Sequence, residues 1–297
     1  MVRRVCESPR FSRAVLRFAL LVSALLAVAS CKRAPASRTD GGSHRPKLTA
    51  LNANAWLVDL DVPGFGKAAL AVPLGARSPR AIVIALHGSA DRPEWACSAL
   101  RSIAGPAPFV LCPRGVARAD FTATDPRYTF GTVDDTAREL RAALAELKRR
   151  FGVYVAPGPV VFSGYELGAD HAAFIAAQEP SFFSRLLLIE PSSASWPSSQ
   201  SALFGRSGGK RVLFAVAPAR GDEFRLRAVL TSRSGADSRT VLLGNGGAPV
   251  TLELPNRRLL IQNWAWLTAP TKAAAIENLA GNALAAGGPL EPPPIDK

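Results

Sequence analysis

Glu166 lies between two glycines in Gly164-Tyr165-Glu166-Leu167-Gly168, and among the chain's residues it is the one best placed to do chemistry. A carboxylate at the start of a helix is held ionised by the helix dipole and can serve as nucleophile, base or fixed anion. Other reactive residue types are sparse. There are three histidines (His44, His87 and His171) and four cysteines (Cys6, Cys31, Cys97 and Cys112). His87 opens His87-Gly88-Ser89, directly after an apolar run. No His and Cys residues share metal-ligand spacing, so neither a metal site nor a cofactor is expected. A second glycine-bracketed segment, Gly205-Arg206-Ser207-Gly208-Gly209, offers a serine. It precedes a predicted strand instead of following one, and is read as a loop.

The elements that would position these residues follow from hydrophobic periodicity. Residues 56–62 alternate apolar and polar, 63–66 form a Pro/Gly turn, and 67–73 are a second strand, so the domain opens with a hairpin. The continuous apolar run 81–86 predicts a strand buried on both faces, and 107–111 another. Residues 132–150 form a helix that Thr132 can cap, with Leu140, Leu144, Leu147 and Phe151 on one face. The strand 158–162 leads through the Glu166 turn into a helix over 168–178. Strands at 186–189, 211–216 and 240–243 alternate with a Ser/Trp/Pro loop through Ser201 and helices at 224–232 and 257–267. A hairpin followed by alternating strands and helices predicts an α/β class, with a doubly wound, mostly parallel sheet.

In this order the chain resembles the α/β-hydrolase fold over residues 52–268, closest to the compact esterase, dienelactone hydrolase and secreted depolymerase branch. Gly164 to Gly168 resembles the nucleophile elbow of that family, Gly-x-Ser-x-Gly, with glutamate at the serine position. The resemblance implies a role for each site position. His87-Gly88-Ser89 matches the oxyanion loop, so the backbone N–H groups of Ser89 and Leu167 are the expected donors, and His87 is structural. Glu166 occupies the nucleophile position, where facing two donors it would fill the oxyanion hole itself. Asp222, or Glu223 beside it, falls at the acid position. The base loop reads Leu243-Gly244-Asn245-Gly246-Gly247-Ala248, placing Ala248 where histidine is expected. His171, five residues beyond Glu166, is the remaining candidate base, about 100° round its helix from the site. Ser163 would be sunk in the end of the strand.

The N-terminus bounds the setting. Arg3, Arg4, Arg10, Arg13 and Arg17 precede an uncharged apolar stretch, Phe18 to Ala29, too short for a comfortable membrane span. It ends in Val28-Ala29-Ser30-Cys31, which resembles a bacterial lipobox. That resemblance implies cleavage after residue 30, diacylglycerol on Cys31, and a lipoprotein of the cell envelope, facing the periplasm or on the outer membrane. The expected organisation is a signal peptide (1–30), a flexible tether (31–51), the hydrolase-like domain (52–268), and an Ala/Pro/Gly-rich tail (269–297). The net charge is +13; loss of residues 1–30 would remove five arginines and Glu7, leaving +9. A basic tether suits anionic lipid or envelope polymer. No nucleic-acid motif is present. An oxidising compartment makes a disulfide between Cys97 and Cys112 the expected pairing, with two buried thiols as the alternative.

Two of the three triad positions hold residues unsuited to serine-hydrolase chemistry. The sequence therefore points to a membrane-anchored, catalytically inactive protein of this fold. It would act as a binding or envelope protein, with a small molecule or envelope polymer in the former cleft. The alternative is an active carboxylic-ester hydrolase with an atypical constellation around Glu166. An apolar, ligand-sized cleft beside Glu166 would favour binding; a filled one would favour structure.

Overall fold

The computed structural model describes residues 48–244 and 254–270. Eight strands form one sheet in the order β1-β2-β4-β3-β7-β8-β9-β10. They are β1 (Leu57–Asp61), β2 (Lys67–Ala71), β3 (Ile82–Leu86), β4 (Phe109–Cys112), β7 (Val161–Tyr165), β8 (Arg185–Ile189), β9 (Arg211–Val216) and β10 (Asp237–Leu242). The β1–β2 hairpin and the β2–β4 pair are antiparallel, and every other pair is parallel. A separate two-stranded ribbon joins β5 (Val116–Ala117) to β6 (Tyr128–Thr129). This is the expected fold class: a mixed, mostly parallel α/β sheet with antiparallel strands at its N-terminal edge.

Helices cover both faces, as the unbroken apolar strands require. One face carries α2 (Val133–Phe151), α3 (Leu167–Gln178), α4 (Ser198–Arg206) and α5 (Gly221–Arg233). Its core includes Leu140, Leu144 and Leu147 of α2, packed with Ile84, Leu86, Phe162, Leu188 and Phe214 of the sheet. The other face carries α1 (Pro93–Ala104) and α6 (Leu254–Thr268), over Val83, Ala85, Val161, Leu187 and Leu213. Strand residues thus alternate between two cores. Thr132 caps α2 in a reciprocal box: its hydroxyl accepts from the Asp135 amide at 3.1 Å, and the Asp135 carboxylate accepts from the Thr132 amide at 3.3 Å. The described residues form one compact unit that contains both cores.

Several elements differ from the sequence expectation. Helix α4 begins inside the stretch read as a Ser/Trp/Pro loop, taking its last four residues, Ser198 to Ser201. Its opening residues are polar, and it is held by the buried residues Ser201 and Phe204 against Trp196 and α5. Gly205 and Arg206 are the end of that helix and Ser207 its C-cap, so the second glycine-bracketed serine closes a helix and opens none. Helix α1 and the β5–β6 ribbon had no counterpart in the sequence reading. Strand β7 runs on to Tyr165, beyond the expected end at 162, and so includes Ser163 and Gly164. Leu51, assigned to the tether, is buried and exchanges backbone hydrogen bonds with Gly75 and Ala76.

Cys97 of α1 and Cys112 of β4 are disulfide-bonded across a Cα–Cα distance of 5.8 Å. The bond ties α1 to the sheet beside the strand that precedes the oxyanion-type loop. Closing a loop of this length contributes about 3 kcal/mol in the chain-entropy model. Reduction, or replacement of both cysteines by alanine, is expected to lower the melting temperature by roughly 10 °C for a domain of this size. Thermal denaturation with and without reductant measures it, and an unchanged midpoint would deny the bond a stabilising role.

Candidate functional site

The site is built where β7 turns into α3. Glu166 joins them with φ 48° and ψ −117°, in the left-handed half of the map. For a residue with a Cβ this costs on the order of 1–3 kcal/mol, and it persists only where the surroundings enforce it. Two glycines enforce it here. A Cβ on Gly164 would lie 2.2 Å from the Gly168 carbonyl oxygen, and one on Gly168 would lie 2.4 Å from that of His87. The start of α3 is therefore pressed against both β7 and the end of β3. The Glu166 amide donates to the Ile189 carbonyl at 2.9 Å, and its own carbonyl accepts from the Ala169 and Asp170 amides. Backbone bonds thus fix Glu166 on both sides.

The Glu166 side chain bends back over the oxyanion-type loop. Its Oε2 lies 2.9 Å from where a Gly88 Cβ would stand, and the Tyr165 ring lies equally close. Burial, then the negative charge of the adjacent Glu166, pushes the Tyr165 hydroxyl well above the ordinary tyrosine range, and Asp91 and Glu190 add to the effect. The carboxylate was expected to sit on the two amide donors. Instead it rests against Gly88, and among the described residues neither the Ser89 nor the Leu167 amide donates to it. Ser89 is held by its side chain, whose hydroxyl accepts from Arg118 Nη1 at 3.1 Å.

His87 is structural in this arrangement. It is fully buried and stacks on Phe130 at 4.5 Å. Its Nδ1 faces the Gly88 carbonyl oxygen at 2.7 Å and its Nε2 that of Arg114 at 2.9 Å. The Arg114 turn is pinned in its place by Glu139, a buried carboxylate that accepts from the amides of Arg114 and Gly115 at 2.8 and 3.1 Å. His171 lies between helices, its Nδ1 2.9 Å from the Thr136 hydroxyl and its ring against Phe130. It is 5% exposed and does not reach Glu166. Asp222 is 97% exposed and pairs with Arg225, while Glu223 pairs with Arg227. Neither is among the charges that act on Tyr165 beside Glu166. Ala248 and Cys31 lie outside the described residues.

The structure supplies a second carboxylate that the sequence reading missed. Glu190 follows β8 as Glu166 follows β7, also at positive φ (51°), and its amide donates to the Ala215 carbonyl. Burial raises its pKa, opposed by the nearby Ala217 backbone and by Arg220, which lies 3.7 Å away; the charge of Glu166 raises it further. Its position, one residue past an apolar strand adjacent to the elbow strand, was the available signal.

Little open space adjoins these groups. A cavity of about 30 Å³ lies behind Tyr165, walled by Leu86, Trp95, Leu100 and Ile189, with Asp91 at its side. Ser163 also lines it. Its fully buried hydroxyl has no partner among the described residues. That volume accommodates about one or two waters and no ester. A much larger hollow, about 730 Å³, opens at the opposite end of the sheet around Val160 and Phe182, and holds no residue of the site.

No protein-family model matches the chain, and no characterised protein matches it in sequence. Solved structures do match. A carboxylesterase from Mesorhizobium loti superposes with a TM-score of 0.50 at 18% identity, covering 73% of this chain and all of that one. Est1E from Butyrivibrio proteoclasticus gives 0.50 at 12% identity, again over 73% of this chain and the whole of the other, and has also been solved with ferulic acid bound. With the sheet order and the strand–turn–helix at Glu166, these likenesses define the α/β-hydrolase fold, with esterase-like structural neighbours at low identity.

Two outcomes follow from the site's electrostatics. Glu166→Gln removes the charge beside Tyr165 and is expected to bring its ionisation down towards the ordinary value of 10.0, read as tyrosinate absorbance against pH. An unmoved titration would separate the two side chains. Burial holds His171 below the ordinary histidine value of 6.5. Above that value both folded and unfolded chains carry it neutral. As pH falls through it the unfolded chain takes the proton first, so stability declines, by about 1.4 kcal/mol per unit of depression. Urea midpoints of His171→Gln should fall less between pH 7 and 5 than those of the parent; an equal fall would acquit His171.

Proposed function

We propose that the chain is a lipoprotein of the cell envelope, anchored through Cys31, whose α/β-hydrolase fold no longer carries out serine-hydrolase chemistry. It serves there as a binding or scaffold protein. The observation that carries this reading is Glu166 itself, a carboxylate at the nucleophile position, turned onto Gly88 beside the Tyr165 ring. A serine there would present a short hydroxyl to a substrate carbonyl. Glutamate instead puts negative charge beside the place where an oxyanion would develop, which opposes the transition state. The filled surroundings support the same conclusion, since the adjacent 30 Å³ cavity has no room for an acyl group. The basic residues of the segment after Cys31 suit an anionic envelope surface.

The competing reading is an ester hydrolase with an unusual constellation around Glu166. One observation favours it: Glu166 and Glu190 end adjacent strands, both at positive φ, and burial raises the pKa of Glu190. Two carboxyl groups in unlike environments can divide acid and base roles.

The experiment is a panel of short-chain nitrophenyl esters and a fluorophosphonate probe, applied to the chain from Lys32 onward and to Glu166→Ser/Ala248→His. The parent is expected to be silent and unlabelled, and the double variant to gain labelling. Turnover by the parent that disappears in Glu166→Gln would replace the proposal with the hydrolase reading.

A further inference from the structure

The far edge of the sheet carries a surface that the site does not use. Strand β10 pairs with β9 on one side, and among the described residues no strand pairs with its other edge. Helix α5 packs beside it, leaving a groove of about 520 Å³ between them. Arg225, Val229 and Arg233 of α5 line this groove with Arg239 of β10. Leu226, one turn before Val229, is 60% exposed, and Val229 is 48% exposed. These are unusual values for aliphatic residues in adjacent turns of one helix.

The charges around the groove are unbalanced. Arg225 pairs with Asp222, but Arg233 and Arg239 have no carboxylate partner among the described residues. Arg239 instead lies over the Trp266 ring at 4.4 Å. The described parts of α5, β10 and α6 hold six arginines (Arg225, Arg227, Arg233, Arg239, Arg257 and Arg258) against three carboxylates, those of Asp222, Glu223 and Asp237.

From this juxtaposition we propose that the α5–β10 face docks on an anionic lipid bilayer, with Arg233 and Arg239 on headgroup phosphates and Leu226 and Val229 entering the interface between them. Two features select a bilayer over other anionic partners. Guanidinium groups bind phosphate oxygens through paired donors, and they are weakly hydrated. Exposed aliphatic side chains beside them gain nothing from a free anion or a soluble polymer, but are buried at a headgroup boundary, where tryptophan also settles. The contact does not depend on acylation of Cys31. It would set which way the anchored domain faces, with the sheet edge towards the membrane.

The test is vesicle co-sedimentation of the compact unit from Pro46 onward, which lacks Cys31 and nearly all of the basic tether. Phosphatidylcholine vesicles are compared with vesicles that also contain phosphatidylglycerol. Binding is expected to the mixed vesicles only, to weaken with added salt, and to fall about tenfold or more in Arg233→Glu/Arg239→Glu. Leu226→Ser/Val229→Ser should also weaken it, with each variant's thermal melt confirming an intact fold. No binding to anionic vesicles would overturn the proposal, as would binding that both double variants retain. Binding abolished by millimolar inorganic phosphate at constant ionic strength would also overturn it, and would assign the groove to a free anion. Failure of acylation at Cys31 would leave these outcomes unchanged, so the two ideas stand or fall separately.

Discussion

The approach of α3 to the ends of β3 and β7 is the constraint on which the rest of the site depends. Gly164 and Gly168 leave no space for a side chain between helix start and strand, and the chain can make the turn only if the residue between them takes a positive φ. Glu166 therefore has little conformational choice. Its backbone is fixed by bonds to β8 on one side and to α3 on the other, and its side chain is delivered to the mouth of the oxyanion-type loop. The geometry that makes a serine a nucleophile is kept intact around a residue with different chemistry. Strain of this kind marks functional sites in many proteins.

The surroundings hold that turn from several directions. Buried Glu139 pins the Arg114–Gly115 turn, that turn accepts from His87, and His87 stacks on Phe130, which also touches His171. The histidines are thereby absorbed into packing. A polar framework of this density keeps the loop rigid, because each buried group would be costly to leave unpaired. Near the site, the Ser163 hydroxyl and Glu190 Oε1 are exceptions without a partner among the described residues, and the small cavity behind Tyr165 that Ser163 lines has room for about one or two waters.

The fold was largely legible from the chain because its strands are buried on both faces and read as unbroken apolar runs, as in Ile82–Leu86 and Arg211–Val216. The elbow was legible because glycine spacing records a steric requirement directly. Short, polar-fronted elements were not. Helix α4 begins with four residues, Ser198 to Ser201, that favour loops in isolation, and tertiary packing of Phe204 overrides that preference. Strand β10 is an edge strand with little burial, so its pattern is weak and its start was misplaced by three residues. Sequence order locates a strand end but says nothing of where the following side chain points. Asp222 faces solvent, whereas Glu190 lies beside the site.

Whether Glu166 itself fills the mouth of the oxyanion-type loop is tested most directly by a crystal structure of the domain, at a resolution that fixes its carboxylate. It should show a positive φ at Glu166, with its Oε2 and the Tyr165 ring both against Gly88. A carboxylate turned out to solvent, with Tyr165 swung aside and the Ser89 and Leu167 amides open to a ligand-sized cleft, would contradict it.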